Sequence, residues 1–256
     1  MLTRQQIQRL AQRHGIGMQA QERDYLQHLI LFLLYSRWQD FIFKGGTALR
    51  LAYRGNRYSE DLDFNAPPGA SAETIEARWQ VVADTLGDYA IRAELRDIWH
   101  SEVGYSVDLS FRGPLFDGRD RSKGKVRLDV NLRPEEAGSQ PVLVASEYDD
   151  VRPFVVMVIS REHLFAEKVR ALLVRGKPRD LYDLWLMLGL GIRPDPVLIQ
   201  SKLSLYSLDW SPDRLEQALT RVAVSWEQDL RPLLPQFVPY APARQAVEAA
   251  LAVLDS

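Results

Sequence analysis

The sequence predicts an α+β protein, with a mixed-sheet domain over residues 1–160 and a helical domain over residues 161–256. Three observations carry this. Between Phe41 and Asn65, a Gly-Gly pair and a short helical stretch lead into the alternating run Asp61-Leu62-Asp63-Phe64. From residue 89 to 159, short strand-like runs follow one another. After Ser160 the pattern changes to helical periodicity, interrupted by Gly and Pro.

In chain order, residues 3–14 and 21–39 read as helices. The second places Tyr25, Leu26, Leu29, Ile30, Leu33 and Leu34 at helical spacing, which marks a core helix. Phe41 to Phe43 reads as a short buried strand, Thr47 to Tyr53 as a short helix, and Ser59 to Asn65 as a strand. Pro67-Pro68-Gly69 ends that unit, and Ser71 caps a helix running to Leu86, with Glu73 in its first turn. Strands are expected at 89–97, 103–111, 125–132, 142–145 and 154–159, then helices at 161–175, 179–189, 195–205, 212–228 and 242–254. The six tryptophans are expected in the core or at the domain junction, and His14, His28, His100 and His163 show no metal-ligand spacing.

The chain has 256 residues, 46% hydrophobic and 26% charged, as in an ordinary soluble globular protein. The absence of cysteine excludes disulfides, thiolate metal sites and a thiol nucleophile. The N-terminus lacks the apolar core of a signal peptide. The longest apolar run, Leu29 to Leu34, is too short to span a bilayer, so no membrane partner and a cytoplasmic location are expected. The net charge of −2 gives no global positive field, so any nucleic-acid contact must be local.

The chemistry concentrates between Phe41 and Asn65. In a strand, side chains at i and i+2 share a face, so Asp61 and Asp63 project together while Leu62 and Phe64 point the other way. Two adjacent carboxylates repel each other unless a cation sits between them, and a hard divalent metal suits oxygen ligands. Gly45 and Gly46 let the backbone approach an anion, and the helix behind them would aim its N-terminal amides at it. Alone, an Asp-x-Asp is more often a solvated strand edge, and a Gly-Gly more often a turn. Together they have the layout of phosphoryl or nucleotidyl transfer. The strand Lys125 to Leu132 alternates strictly, with Arg127, Asp129 and Asn131 on its polar face. Asp129 is therefore a candidate third carboxylate, with a surface pair to Arg127 or Lys125 as the plain alternative. Leu164, Lys168 and Leu172 share a helix face, so Lys168 either snorkels to water or holds a charged ligand. Two basic clusters stand out, Arg112 to Arg127 and Arg170 to Arg179; each is a solvated face or a phosphate path.

The string KGGTALRLAYRGNRYSEDLDF resembles the AbiEii/AbiGii toxin family of nucleotidyltransferases, which includes the MenT-type toxins, within the polymerase-beta-like superfamily. Gly46-Thr47 stands where the superfamily has Gly-Ser. The segment AEKVRAL at 166–172 and RDLYDL at 179–184 are also similar to the family's pattern. The resemblance implies a polymerase-beta-like nucleotidyltransferase fold with a helical C-terminal domain closing over it. It implies Mg²⁺ or Mn²⁺ at Asp61, Asp63 and Asp129, with Lys168 and Asp180 joining these three in catalysis. Nucleotide phosphates would be held by Gly45, Gly46, Thr47 and Lys168, with Arg57 and Ser59 beside them. It implies an NTP donor, an RNA acceptor such as the tRNA 3′ end, a cognate antitoxin, and a toxin–antitoxin or phage-defence role. A DxD metal-dependent glycosyltransferase and a catalytically inactive binding module are the rival readings of the same carboxylates.

Overall fold

The computed structural model describes residues 1–133 and 138–255, so Ser256, the end of the expected helical domain, lies outside the described residues. Two compact units divide the chain, Met1–Ile159 and Ser160–Ser256.

The first unit opens with α1 (Arg4–His14) and α2 (Met18–Tyr35), then β1 (Ile42–Lys44), α3 (Gly45–Tyr53), β2 (Asp61–Asn65) and α4 (Ala72–Thr85). Strands β3 (Arg92–Ser101), β4 (Gly104–Arg112), β5 (Gly124–Asn131), β6 (Ser139–Val144) and β7 (Phe154–Ile159) complete it. Among the described residues, seven strands form one mixed sheet in the order β3-β4-β5-β2-β1-β7-β6. The short strands β1 and β2 lie at its centre because nearly every alternate residue there is apolar. Phe43, Leu62 and Phe64 are fully buried, as are Val126 and Leu128 of β5. This apolar face packs on α4 through Trp79, whose ring lies 5.4 Å from Phe64 and 5.7 Å from Phe41, and on α2 through Phe32 against Phe154. Because one face is covered in this way, the alternating polar residues collect on the other.

Capping residues set the helix starts. Thr3 and Ser71 each form a capping box, and Ser71 begins α4 as its sequence signals. Helix α2 starts at Met18 rather than at residue 21 and stops at Tyr35, short of residue 39. There the Tyr35 hydroxyl donates to the carbonyls of Phe41 (3.0 Å) and Met157 (3.2 Å), fixing the entry to β1. Helix α2 also buries Gln21, Asp24 and His28, which a purely apolar reading of that helix does not foresee. Asp24 pairs with Arg50 of α3 at 3.0 Å and accepts from the Tyr148 hydroxyl at 2.6 Å, while Arg50 stacks 3.7 Å over the Tyr58 ring. Buried polar groups must be paired, and this pairing locks α3 and the segment before β2 onto α2.

The second unit is helical: α5 (Arg161–Arg175), α6 (Pro178–Gly189), α7 (Pro196–Ser204), α8 (Pro212–Leu230) and α9 (Tyr240–Leu251). Ser160, Asp195 and Ser211 cap three of these helices through their side chains, and Pro occupies the first position of α6, α7 and α8. Trp226 packs on Tyr240 at 5.5 Å and donates to the Val238 carbonyl. Not every tryptophan is interior, however: Trp99 on β3 is 58% exposed.

Candidate active site

Strand pairing brings the carboxylates together. β2 runs parallel to β5 with Asp61 opposite Arg127 and Asp63 opposite Asp129. β1 runs antiparallel to β2 on the other side, with Lys44 opposite Asp63. Residues directly opposite in a ladder share a face, so Asp61, Asp63 and Asp129 stand on the polar face with a lysine and an arginine as neighbours. The strand begins at Asp61, not Ser59, so Ser59 reaches the site from the preceding loop.

The Gly-Gly pair serves the carboxylates through space. Gly45 has φ +77°, and a Cβ there would stand 2.7 Å from the Asp63 carboxyl carbon. The Asp63 carboxylate thus lies against the first residue of α3, where the helix dipole and unpaired amides favour negative charge. A Cβ on Gly46 would stand 3.0 Å from Ser59 Oγ and 3.4 Å from Arg57 Cζ, so this position must be bare for both side chains to approach. Arg57 is buried and donates to the Tyr58 carbonyl at 3.0 Å. The Ser59 carbonyl accepts from Gln27 at 3.1 Å. Thr47 is buried and its hydroxyl donates to the Asp61 carbonyl at 2.6 Å, so it ties α3 to β2.

Asp129 does not take either of the surface partners offered by the sequence. Lys125 and Arg127 both donate to Asp108 of β4, each at 2.7 Å. Asp108 is 1% exposed, and sequence reading missed it. Burial pushes its pKa up, but the hydrogen bonds and charges of Arg127 and Lys125 outweigh that and leave it lowered. Arg127 is raised, first by its hydrogen bond to Asp108, against burial, and further by the charges of Asp108, Asp129 and Asp61. The guanidinium thus feels the carboxylates of the site without being spent on Asp129.

Among the described residues, no group of three His, Cys, Asp or Glu side chains closes into a metal cage. The three aspartates are aligned in register on one face of the sheet. Two oxygen-donor carboxylates on one face, beside an open helix N-terminus, still fit Mg²⁺, which is commonly held by one or two carboxylates with substrate phosphates and water completing the shell.

The second unit holds its own charge cluster. Lys168 of α5 is 6% exposed, with Nζ 2.7 Å from Asp183 and 3.8 Å from Asp180 of α6. Asp180 also takes a two-pronged bond from Arg175, at 2.8 and 2.7 Å. Lys168 therefore does not snorkel, and its charge is met by carboxylates of the neighbouring helix. Asp180 also sits in the first turn of α6, the dipole-favoured place its sequence position suggests. A second buried pair, Glu167 with Lys202 at 3.4 Å, had no sequence signal. The structure thus gathers Gly45, Gly46, Arg57, Ser59, Asp61, Asp63 and Asp129 in the sheet unit, and Lys168 with Asp180 in the helical one.

Residues 34–253 match the family described as nucleotidyl transferase AbiEii toxin, type IV TA system. The fold is similar to that of MenT4, a nucleotidyltransferase toxin from Mycobacterium tuberculosis, with a TM-score of 0.74 and 21% identity over 100% of this chain and 90% of that one. It is also similar to JHP933 from Helicobacter pylori, with a TM-score of 0.60 and 20% identity over 93% of each chain. An uncharacterized protein of Aquifex aeolicus is 25% identical over 199 residues, covering 74% of this chain and 82% of the relative. Among the described residues, no helix is long and apolar enough to cross a membrane.

Proposed function

The chain belongs to the AbiEii family of nucleotidyltransferase toxins of type IV toxin–antitoxin systems, and from that membership we propose that it transfers a nucleoside monophosphate from an NTP to an RNA end, such as the 3′ end of tRNA, with Mg²⁺ or Mn²⁺. The observation that carries this reading is the register of Asp63 opposite Asp129, with Asp61 on the same face and Gly45 beneath Asp63. Asp61 and Asp63 would hold the metal, which when bound neutralises phosphate charge and acidifies the acceptor hydroxyl. The amides at the start of α3, opened by Gly45 and Gly46, would bind phosphate oxygens. Arg57 would fix the loop that carries Ser59 over that helix start.

In the transfer, the acceptor hydroxyl oxygen bonds to the α-phosphorus and the α–β phosphoanhydride bond breaks. Pyrophosphate leaves, and the hydroxyl proton passes to the Asp129 carboxylate. Thr47 would hold the backbone of Asp61 in place throughout. An antitoxin partner and a cytoplasmic setting go with the family reading.

The test is incubation with each labelled NTP and total RNA, with and without EDTA, resolved on a gel. Label should appear in RNA only with divalent metal and vanish in Asp63→Asn. Metal-independent labelling, or near wild-type labelling by the variant, would sink the assignment. Transfer of label from sugar nucleotides instead would favour a glycosyltransferase.

A further inference from the structure

The row of residues that joins Lys44, Asp63 and Asp129 does not stop at β5. Across the next two strands it continues through Ser106 of β4 to Trp99 of β3. All five are opposite one another in turn, so all five side chains share the polar face. Adjacent strands lie about 4.8 Å apart, which puts Trp99 roughly 10 Å from Asp129 and 14 Å from Asp63.

Trp99 reaches this row through a bulge. Arg96 pairs with Asp108 and Trp99 with Ser106, so three residues advance on β3 for two on β4. Asp97, inside the bulge, has φ +50°, in the left-handed region that is costly for most side chains. The extra residue turns Trp99 onto the carboxylate face, where strict alternation from Arg96 would have placed Ile98. The indole leans over Gly104, whose Cβ, if present, would sit 3.5 Å from Trp99 Cζ3. A large aromatic side chain is thus held exposed beside a bare backbone position, on the face that carries the acids. On the same face the Arg96, Lys125 and Arg127 side chains remain 60%, 58% and 45% exposed despite their carboxylate partners. An exposed aromatic side chain on a face that also carries cations is a combination that suits single-stranded nucleic acid, with bases stacking and phosphates meeting the charges.

We propose that Trp99 is a stacking platform for an unpaired nucleobase of the acceptor strand, set by the β3 bulge on the same sheet face as Asp63 and Asp129. The proposal rests on the nucleotidyltransferase reading for its role, but binding alone can test it. The platform selects for acceptors whose bases near the reacting end are unpaired, because a paired base has no free face to offer.

The experiment uses the full chain, a short fluorescent single-stranded oligoadenylate, and the same strand annealed to its complement, followed by anisotropy at several salt concentrations. Trp99→Ala should weaken single-strand binding about tenfold, the size of one base–aromatic stack, and Trp99→Phe should restore most of it. The salt dependence should keep its slope, because no phosphate contact is removed. Duplex binding should not respond to the Ala variant. Equal single-strand affinity in wild type and Trp99→Ala would overturn the platform. So would an equal loss in the Phe and Ala variants, or a duplex affinity that falls in step. Trp99-dependent binding by a protein that transfers no nucleotide would support the platform and count against the transferase reading. Transfer with Trp99-independent binding would overturn the platform alone.

Discussion

A methyl group on Gly45 would meet the Asp63 carboxyl group on a backbone that already disfavours side chains. Gly45→Ala should therefore displace the carboxylate proposed to hold the metal, with a loss of roughly 100-fold or more in transfer, the scale of a misplacement near 1 Å. Asp129→Asn keeps the shape and removes the proposed proton acceptor, and kcat should fall by about 10²–10⁴ while the KM for NTP holds. Unchanged kcat in that variant would remove Asp129 from the chemistry. Glu22 offers a test of stability with pH. Burial raises its pKa from 4.5, against the pull of the Leu115 amide, Arg4 and Arg23. Its stabilising contribution is complete below the unfolded value and is lost as pH rises through the folded one. Glu22→Gln keeps an acceptor for the Leu115 amide, now at 2.6 Å, and has no charge to bury. It should melt higher than wild type near neutral pH, with the gap closing as pH falls towards about 4. A gap that widened on acidification would refute this. Asp61, Asp63 and the Gly-Gly pair were legible because their signal is local spacing, and Asp129 because alternation gives its face. Asp108 was not, since its partners Lys125 and Arg127 come from another strand. Trp99 was not, because a bulge shifts the parity on which alternation depends.

At the scale of elements, helices declared themselves through their ends. Thr3, Ser71 and Ser160 cap where the sequence places a start, since capping is a contact between near neighbours. Strand limits were less legible: β6 begins at Ser139 rather than residue 142, and β2 at Asp61, because pairing partners decide where a strand stops. The α5–α6 pair shows the same difficulty with charge. Helical spacing set Lys168 in an apolar stripe but could not supply Asp183. Lys168→Met would leave Asp180 and Asp183 buried with less compensation, so it should cost about 3–5 kcal/mol in chemical denaturation. Adding Asp183→Leu should recover much of that loss. A single Lys168→Met variant as stable as wild type would show that the buried pair contributes nothing to α5–α6 packing.

At the scale of the molecule, a net charge of −2 means that affinity for RNA depends on local surface. Much of the basic loop before β5 is internally balanced: Lys123 pairs with Asp120 at 2.7 Å and with Glu94 at 3.4 Å. Arg121, with Arg4, Arg23 and Lys125, lines a cavity of about 530 Å³, and we propose it as the phosphate contact. Arg121→Glu should weaken RNA binding and flatten the slope of log K against log salt by about 0.7–0.9 per phosphate lost. No change in slope would move the RNA path away from this cavity. We propose that the division at Ser160 is a domain boundary, so residues 1–159 expressed alone should unfold cooperatively. A chain that showed no unfolding transition would refute it. The strand order also constrains how the protein comes into being. β1 and β2 are made early, yet their flanking partners β7 and β5 come from chain made much later. Until residue 129 has left the ribosome, the segment from Gly45 to Asp63 has no Asp129 to align with. Long-range parallel pairing forms late. The carboxylate face is therefore incomplete in the nascent chain until β5 has emerged and docked.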